Sequence, residues 1–335
     1  MDLLEKNKAT FLHKSTLIYG GSNCGKTSII KDILYHIKDE ISAAVVICPT
    51  ELNHGTYTEG EIPIIPKQFL HTEYNDSLMN DIFKFQDERI RNYKKINCLP
   101  SIESIYNTYP SQSINTTVDR LKQLLKDDLN ALSELGAGEQ YSARTIIKEK
   151  FNQSKLILYK NHISANRKLF LDRNKSEESI YIINNINFNP NMVLVMDDVS
   201  PIMEKTKNNK MMIKIATEGR HYKITFILAI HASRVVPPLL RTNAHNFVFA
   251  DKKTAGSYME GNKTQYSLAD RRDFSEKIQN ITMNSEIHLP IPMRNRKVFF
   301  TTEEQKYYIY KADLHEPFSV VPKNIIEFAK SIKRE

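Results

Sequence analysis

The segment Gly20-Gly-Ser-Asn-Cys-Gly-Lys-Thr27 constrains this chain more than any other feature, because it fits GxxxxGK(S/T) in full. It follows a short apolar run, Ser15 to Tyr19. After it, Ile29, Ile30, Ile33, Leu34 and Ile37 recur at helical spacing within Thr27 to Lys38. A glycine turn leading from a strand into a helix bares backbone N–H groups, and the helix N-terminus adds positive partial charge. That arrangement cradles phosphate. Gly20, Gly21, Ser22, Asn23, Cys24, Gly25, Lys26, Thr27 and Ser28 are therefore expected to bind a nucleotide. Lys26 is expected to bridge the β- and γ-phosphates, and the Thr27 hydroxyl to ligate Mg²⁺.

A magnesium nucleotide site needs a carboxylate at the tip of a nearby strand. Met192 to Met196 (MVLVM) is a buried-strand pattern that ends in Asp197 and Asp198. Asp197 is expected to hold the Mg²⁺ shell, and Asp198 to polarise the attacking water. The sequence has no NKxD base reader of a GTPase and no LSGGQ-like signature of an ABC ATPase. An acid pair beside a phosphate loop argues for hydrolysis of ATP with Mg²⁺, rather than transfer to a second substrate.

Ala43 to Cys48 (AAVVIC) and Ile224 to Ile230 (ITFILAI) are further near-continuous apolar runs. Such runs fit parallel strands covered on both faces, so an α/β fold with a mostly parallel sheet is expected. Charged segments with helical periodicity fill the middle of the chain, Val118 to Leu135 and Ile146 to Phe170 among them. The expected organisation is residues 1–82 and 188–260 as the ATPase core, 83–187 as a helical insertion, and 261–335 as a C-terminal extension. Within the last, Lys297 to Thr301 and Tyr307 to Lys311 are expected to form a β-hairpin.

The 335 residues are 41% apolar and 26% charged, with a formal net charge of +8. These are the proportions of a soluble globular protein, and the basic excess favours a polyanionic partner. No apolar run reaches the roughly 18 residues of a membrane span, and no secretory signal is visible at the N-terminus. Three cysteines with no CxxC pair point to a reducing compartment.

Residues 192 to 250 resemble the FtsK–HerA group of DNA-pumping ATPases, and within it the poxvirus-type genome-packaging ATPases of large DNA viruses. The resemblance is carried by Gly219-Arg220, the strand that ends in His231, and Leu239-Leu-Arg-Thr-Asn243 before another strand. It implies a RecA-like P-loop core of the additional-strand type. It also implies that Arg220 is an arginine finger given in trans, hence a homo-oligomeric ring, a hexamer or pentamer. His231 falls where the group usually has Gln, and Asp198 where Glu is commoner. Asn243 matches the group's asparagine, which implies sensing of the phosphate end of the nucleotide, with a capping or turn role as the alternative. Lys205, Lys207 and Lys210 lie where ring motors of this kind place a channel loop for sequence-independent contact with double-stranded DNA. Capsid or portal-vertex proteins are the further partners implied, in the virion or the cytoplasm of an infected cell. A nucleotide-dependent switch or scaffold, or a nucleotide kinase, are the alternative functions.

Overall fold

A computed structural model describes residues 2–132, 137–205, 209–231, 235–261, 268–283 and 295–331. Chain contacts divide it into two compact units, Met1–Asp87 with Pro190–Glu335, and Glu88–Asn189.

The first unit is built on an eight-stranded sheet of order β3-β2-β4-β5-β1-β6-β7-β8. Its strands are β1 (Ser15–Tyr19), β2 (Ala43–Ile47), β3 (Leu70–His71), β4 (Met192–Asp197), β5 (Ile224–Ile230), β6 (Asn246–Phe249), β7 (Lys297–Thr301) and β8 (Lys306–Tyr310). Every pairing from β3 to β6 is parallel, whereas β6 with β7 and β7 with β8 are antiparallel. β5 lies between the phosphate-loop strand β1 and the acid-bearing strand β4. That inserted strand is the mark of the additional-strand type. All residues of β1, β4, β5 and β6 are buried, as near-continuous apolar strands between two covered faces should be. One face packs on Met212, Ile215, Tyr258 and Ile278, the other on Ile29, Ile30, Ile33 and Ile37 of the helix Lys26–Ile37. The β7–β8 hairpin extends this same sheet.

The C-terminal strands are also tied to that helix by polar contacts. Asp32, fully buried, accepts from Lys6 Nζ (3.0 Å), Tyr310 Oη (2.5 Å) and His315 Nε2 (2.6 Å). Asp32, His36 and His315 are the one metal-ligand grouping among the described residues. Here the Lys6 ammonium already supplies the positive charge that the carboxylate needs.

The second unit is helical, comprising Leu99–Tyr106, Gln112–Ala131, Ala137–Ala165, Arg167–Arg173 and Glu177–Asn184 together with the end of Asp76–Ile96. It has its own core of Ile102, Ile105, Leu156, Ile163, Phe170 and Ile183, with Tyr106 and Tyr159 stacked at 3.9 Å. The division at 87/88 falls inside the helix Asp76–Ile96.

Candidate active site

The phosphate loop runs from the end of β1 into the helix Lys26–Ile37. Gly25 caps that helix with φ 89°, a left-handed conformation that glycine adopts without steric cost. Asn23 has φ 59°, tolerable because asparagine is among the few residues that visit this region. Lys26 is only 8% exposed. Its ammonium donates to Gly20 O (3.1 Å), Gly21 O (2.9 Å) and His231 Nδ1 (3.2 Å). All three ammonium hydrogens thus have acceptors, which pin the loop's first two residues to its lysine.

Parallel pairing sets the acids beside the loop, because β4 and β1 end at the same edge of the sheet with β5 between them. Asp197, 4% exposed, accepts from Thr27 Oγ1 at 3.3 Å and from Tyr57 Oη at 2.7 Å, both on Oδ2. Burial pushes its carboxyl above the ordinary range, opposed by hydrogen bonds from Tyr57 and Thr27 and by the charge of Lys26. Asp198 lies just past the strand with φ 57°, a strained position that aspartate can occupy. Its Oδ1 is 2.5 Å from His231 Nε2 at the tip of β5. Lysine can only donate, so His231 Nδ1 accepts from Lys26 and Nε2 presents its proton to Asp198. The result is a continuous chain, Lys26–His231–Asp198, across the site.

These groups line a cleft of about 480 Å³ together with Ser22, Asn23, Thr27, Ser28, Lys31, Thr50, His54 and Thr56. A hydroxyl and a carboxylate are hard oxygen donors of the kind Mg²⁺ takes, so Thr27 and Asp197 fit that ion.

Three contributors have no sequence signal. Tyr57 reaches Asp197 across 140 positions of chain. Glu51 accepts from the backbone N–H groups of Thr56, Tyr57 and Thr58, holding the loop after β2. Asp251, just past β6, accepts from Gly21 N at 3.0 Å and steadies the phosphate loop from the other side.

Other expected site residues lie elsewhere. Arg220 precedes β5, an exposed residue at the N-terminal edge of the strands. The strand's length, about 20 Å, separates it from its own chain's phosphate loop. Its charge, after burial and Lys223, helps hold His13 below the ordinary histidine range at that same edge. Asn243 also lies at that edge, exposed, and donates to Leu239 O at 2.9 Å inside the helix Pro238–Asn243. It does not line the cleft, and its amide is spent on a helix carbonyl. Lys210 is exposed at the start of the helix Lys210–Glu218. Lys207 and the Lys205 side chain lie outside the described residues.

A phosphate loop on β1, acids on β4 and an inserted strand between them define a P-loop NTPase. No protein-family model matches the sequence. The chain is 21% identical over 336 residues to the uncharacterized protein B354L of African swine fever virus, covering 96% of this chain and 88% of that one. Solved structures similar to it include the genome-packaging NTPase B204 of Sulfolobus turreted icosahedral virus 2 with AMPPCP (11% identity, TM-score 0.42, 90% of this chain and 99% of that one). The pCW3 conjugation coupling protein TcpA with ATPγS is another (13%, TM-score 0.40, 94% and 65%). A third is EssC, ATPases 2 and 3, from Geobacillus thermodenitrificans (12%, TM-score 0.39, 95% of this chain). The chain spans 43% of that EssC chain, less than half its length.

Proposed function

We propose that this chain hydrolyses Mg·ATP and couples the hydrolysis to moving double-stranded DNA, in the packaging of a viral genome. The observation that carries the hydrolytic part is the hydrogen-bonded chain Lys26–His231–Asp198 beside the Thr27–Asp197 pair. Lys26 would give up its contacts to Gly20, Gly21 and His231 to hold the phosphates. His231 Nδ1 then loses its donor and becomes an acceptor at the place where water would attack. Asp198 keeps the ring oriented through Nε2 and supplies negative charge for the proton that leaves the water. Mg²⁺, held through Thr27 and Asp197, would neutralise charge on the β- and γ-phosphate oxygens.

The DNA part is supported by the resemblance, the +8 net charge and the lysine segment Glu204 to Lys210. That segment follows the acids of β4 closely in the sequence. A homo-oligomeric ring of five or six copies, acting at a capsid or portal vertex in the virion or host cytoplasm, completes the reading. An ATPase assay with and without duplex DNA tests it. DNA is expected to raise turnover, and Lys205→Ala/Lys207→Ala/Lys210→Ala to remove most of that rise. The salt slope of log DNA affinity should shrink by about 0.9 per lost phosphate contact. Turnover indifferent to DNA would leave an ATP-dependent switch instead.

Arg220 belongs to this proposal only as a residue given to a neighbouring copy, since it stands far from its own cleft. Mixing Arg220→Ala with Lys26→Ala chains is expected to restore part of the activity that each lacks alone, because mixed interfaces pair an intact arginine with an intact loop. Subunit exchange is verified separately by energy transfer between labelled chains. Exchange without any rescue would remove Arg220 from the mechanism.

A further inference from the structure

The loop after β2 is built around a buried acid. Glu51, 2% exposed, accepts from Thr56 N (2.9 Å), Tyr57 N (2.6 Å), Thr58 N (2.9 Å) and Thr58 Oγ1 (3.1 Å). A carboxylate that gathers three successive backbone N–H groups makes strong, charge-assisted bonds and leaves the loop little freedom. Tyr57 O also accepts from Ile65 N at 3.1 Å, which closes the loop at its far end. The loop therefore presents the Tyr57 ring, 0% exposed, in one position, with its hydroxyl on Asp197 Oδ2.

A buried tyrosine whose hydroxyl finds an acceptor is unremarkable by itself. The acceptor here is the acid assigned to the metal, and Thr27 donates to the same oxygen. Two hydroxyls on Oδ2 fix the plane of the carboxylate and leave its other oxygen for the metal shell. The two donors are not equivalent once metal is bound. Thr27 must turn its own oxygen to the metal in order to ligate it, whereas Tyr57 is held by Glu51 from outside the phosphate loop.

We propose that Tyr57, clamped by Glu51, is a positioning residue that aims the Asp197 carboxylate at the metal of Mg·ATP. The inference rests on the nucleotide-site reading above. It adds to that reading a link between the wall of the cleft and the metal, because Thr50, His54 and Thr56 of the same loop line the cleft. Nucleotide pressing on this wall and metal held by Asp197 thus share one rigid segment.

Equilibrium binding of a fluorescent ATP analogue, measured with Mg²⁺ and with EDTA, tests the proposal. The readout is the ratio of the two affinities. Tyr57→Phe is expected to cut that ratio about tenfold, as loss of one hydrogen bond to a charged group would. Glu51→Gln should cut it less, and the double variant no further than Tyr57→Phe, because Glu51 acts through the tyrosine. A merely structural tyrosine would lower the melting temperature of the unliganded protein and leave the ratio alone. Should Tyr57→Phe fail to fold, the same ratio in Glu51→Gln decides. A wild-type chain that binds no nucleotide overturns the nucleotide-site reading and this inference with it. A wild-type Mg²⁺ effect that both variants keep in full overturns this inference alone.

Discussion

Lys26→Ala is expected to lower kcat/KM for ATP hydrolysis by about 10³ or more, the scale of losing one preorganised charge-stabilising donor in a shielded site. Two losses combine in that figure. The ammonium that would meet the phosphates is removed, and the acceptors Gly20 O, Gly21 O and His231 Nδ1 lose their common donor. The second loss loosens the loop before nucleotide arrives, so KM for ATP should rise as well as kcat fall. The fold should survive, because the helix behind the loop is anchored by Ile29, Ile30, Ile33 and Ile37 rather than by the lysine. Circular dichroism together with steady-state kinetics checks both halves. A folded Lys26→Ala chain with native turnover would mean that this loop does not hold the reacting phosphate.

Asp198→Asn is expected to keep Mg·ATP bound while slowing hydrolysis by about 10² to 10⁴, the range for losing a positioned acid–base group. Asparagine can still accept from His231 Nε2 through its carbonyl oxygen, so the ring stays oriented and only the negative charge is lost. Asp197→Asn should instead weaken the dependence on metal, because Asp197 meets Thr27 and Tyr57 rather than His231. Single-turnover hydrolysis at saturating Mg²⁺ separates the two. If Asp197→Asn slows that step more than Asp198→Asn does, the division of roles between the acids is reversed.

The contrast between these acids marks what is legible in the residues. An apolar run ending in Asp197-Asp198 announces a strand that delivers carboxylates to one edge of a sheet. It does not say which acid is buried, nor that the second takes a left-handed turn to reach a histidine on the next strand. Histidine in place of Gln at position 231 is, in the sequence, only a departure from the group's pattern. In the fold it is matched by the shorter Asp198, since the imidazole spans from that acid to the lysine. Arg220 and Asn243 are legible as a pattern but not as a place. Both sit at the edge opposite the phosphate loop, because a parallel sheet puts all strand starts at one end. Glycine at 219 also has a local reason, since a side-chain carbon there would lie 2.6 Å from Ile215 O.

The amino-acid order alone determined the phosphate loop, the helix behind it, the buried parallel strands and the acid pair. Each is a local pattern of spacing, charge and apolar run that a few consecutive residues complete among themselves. The resemblance already implied a strand inserted between β1 and β4, but only the tertiary structure decided that the β7–β8 hairpin joins the same sheet. It also decided that Glu51 and Tyr57 brace the site from the loop after β2, and Asp251 from the end of β6. The contacts of Tyr57 and Asp251 join residues far apart in the chain, and a hydrogen bond depends on distance in space, which no spacing in the sequence encodes.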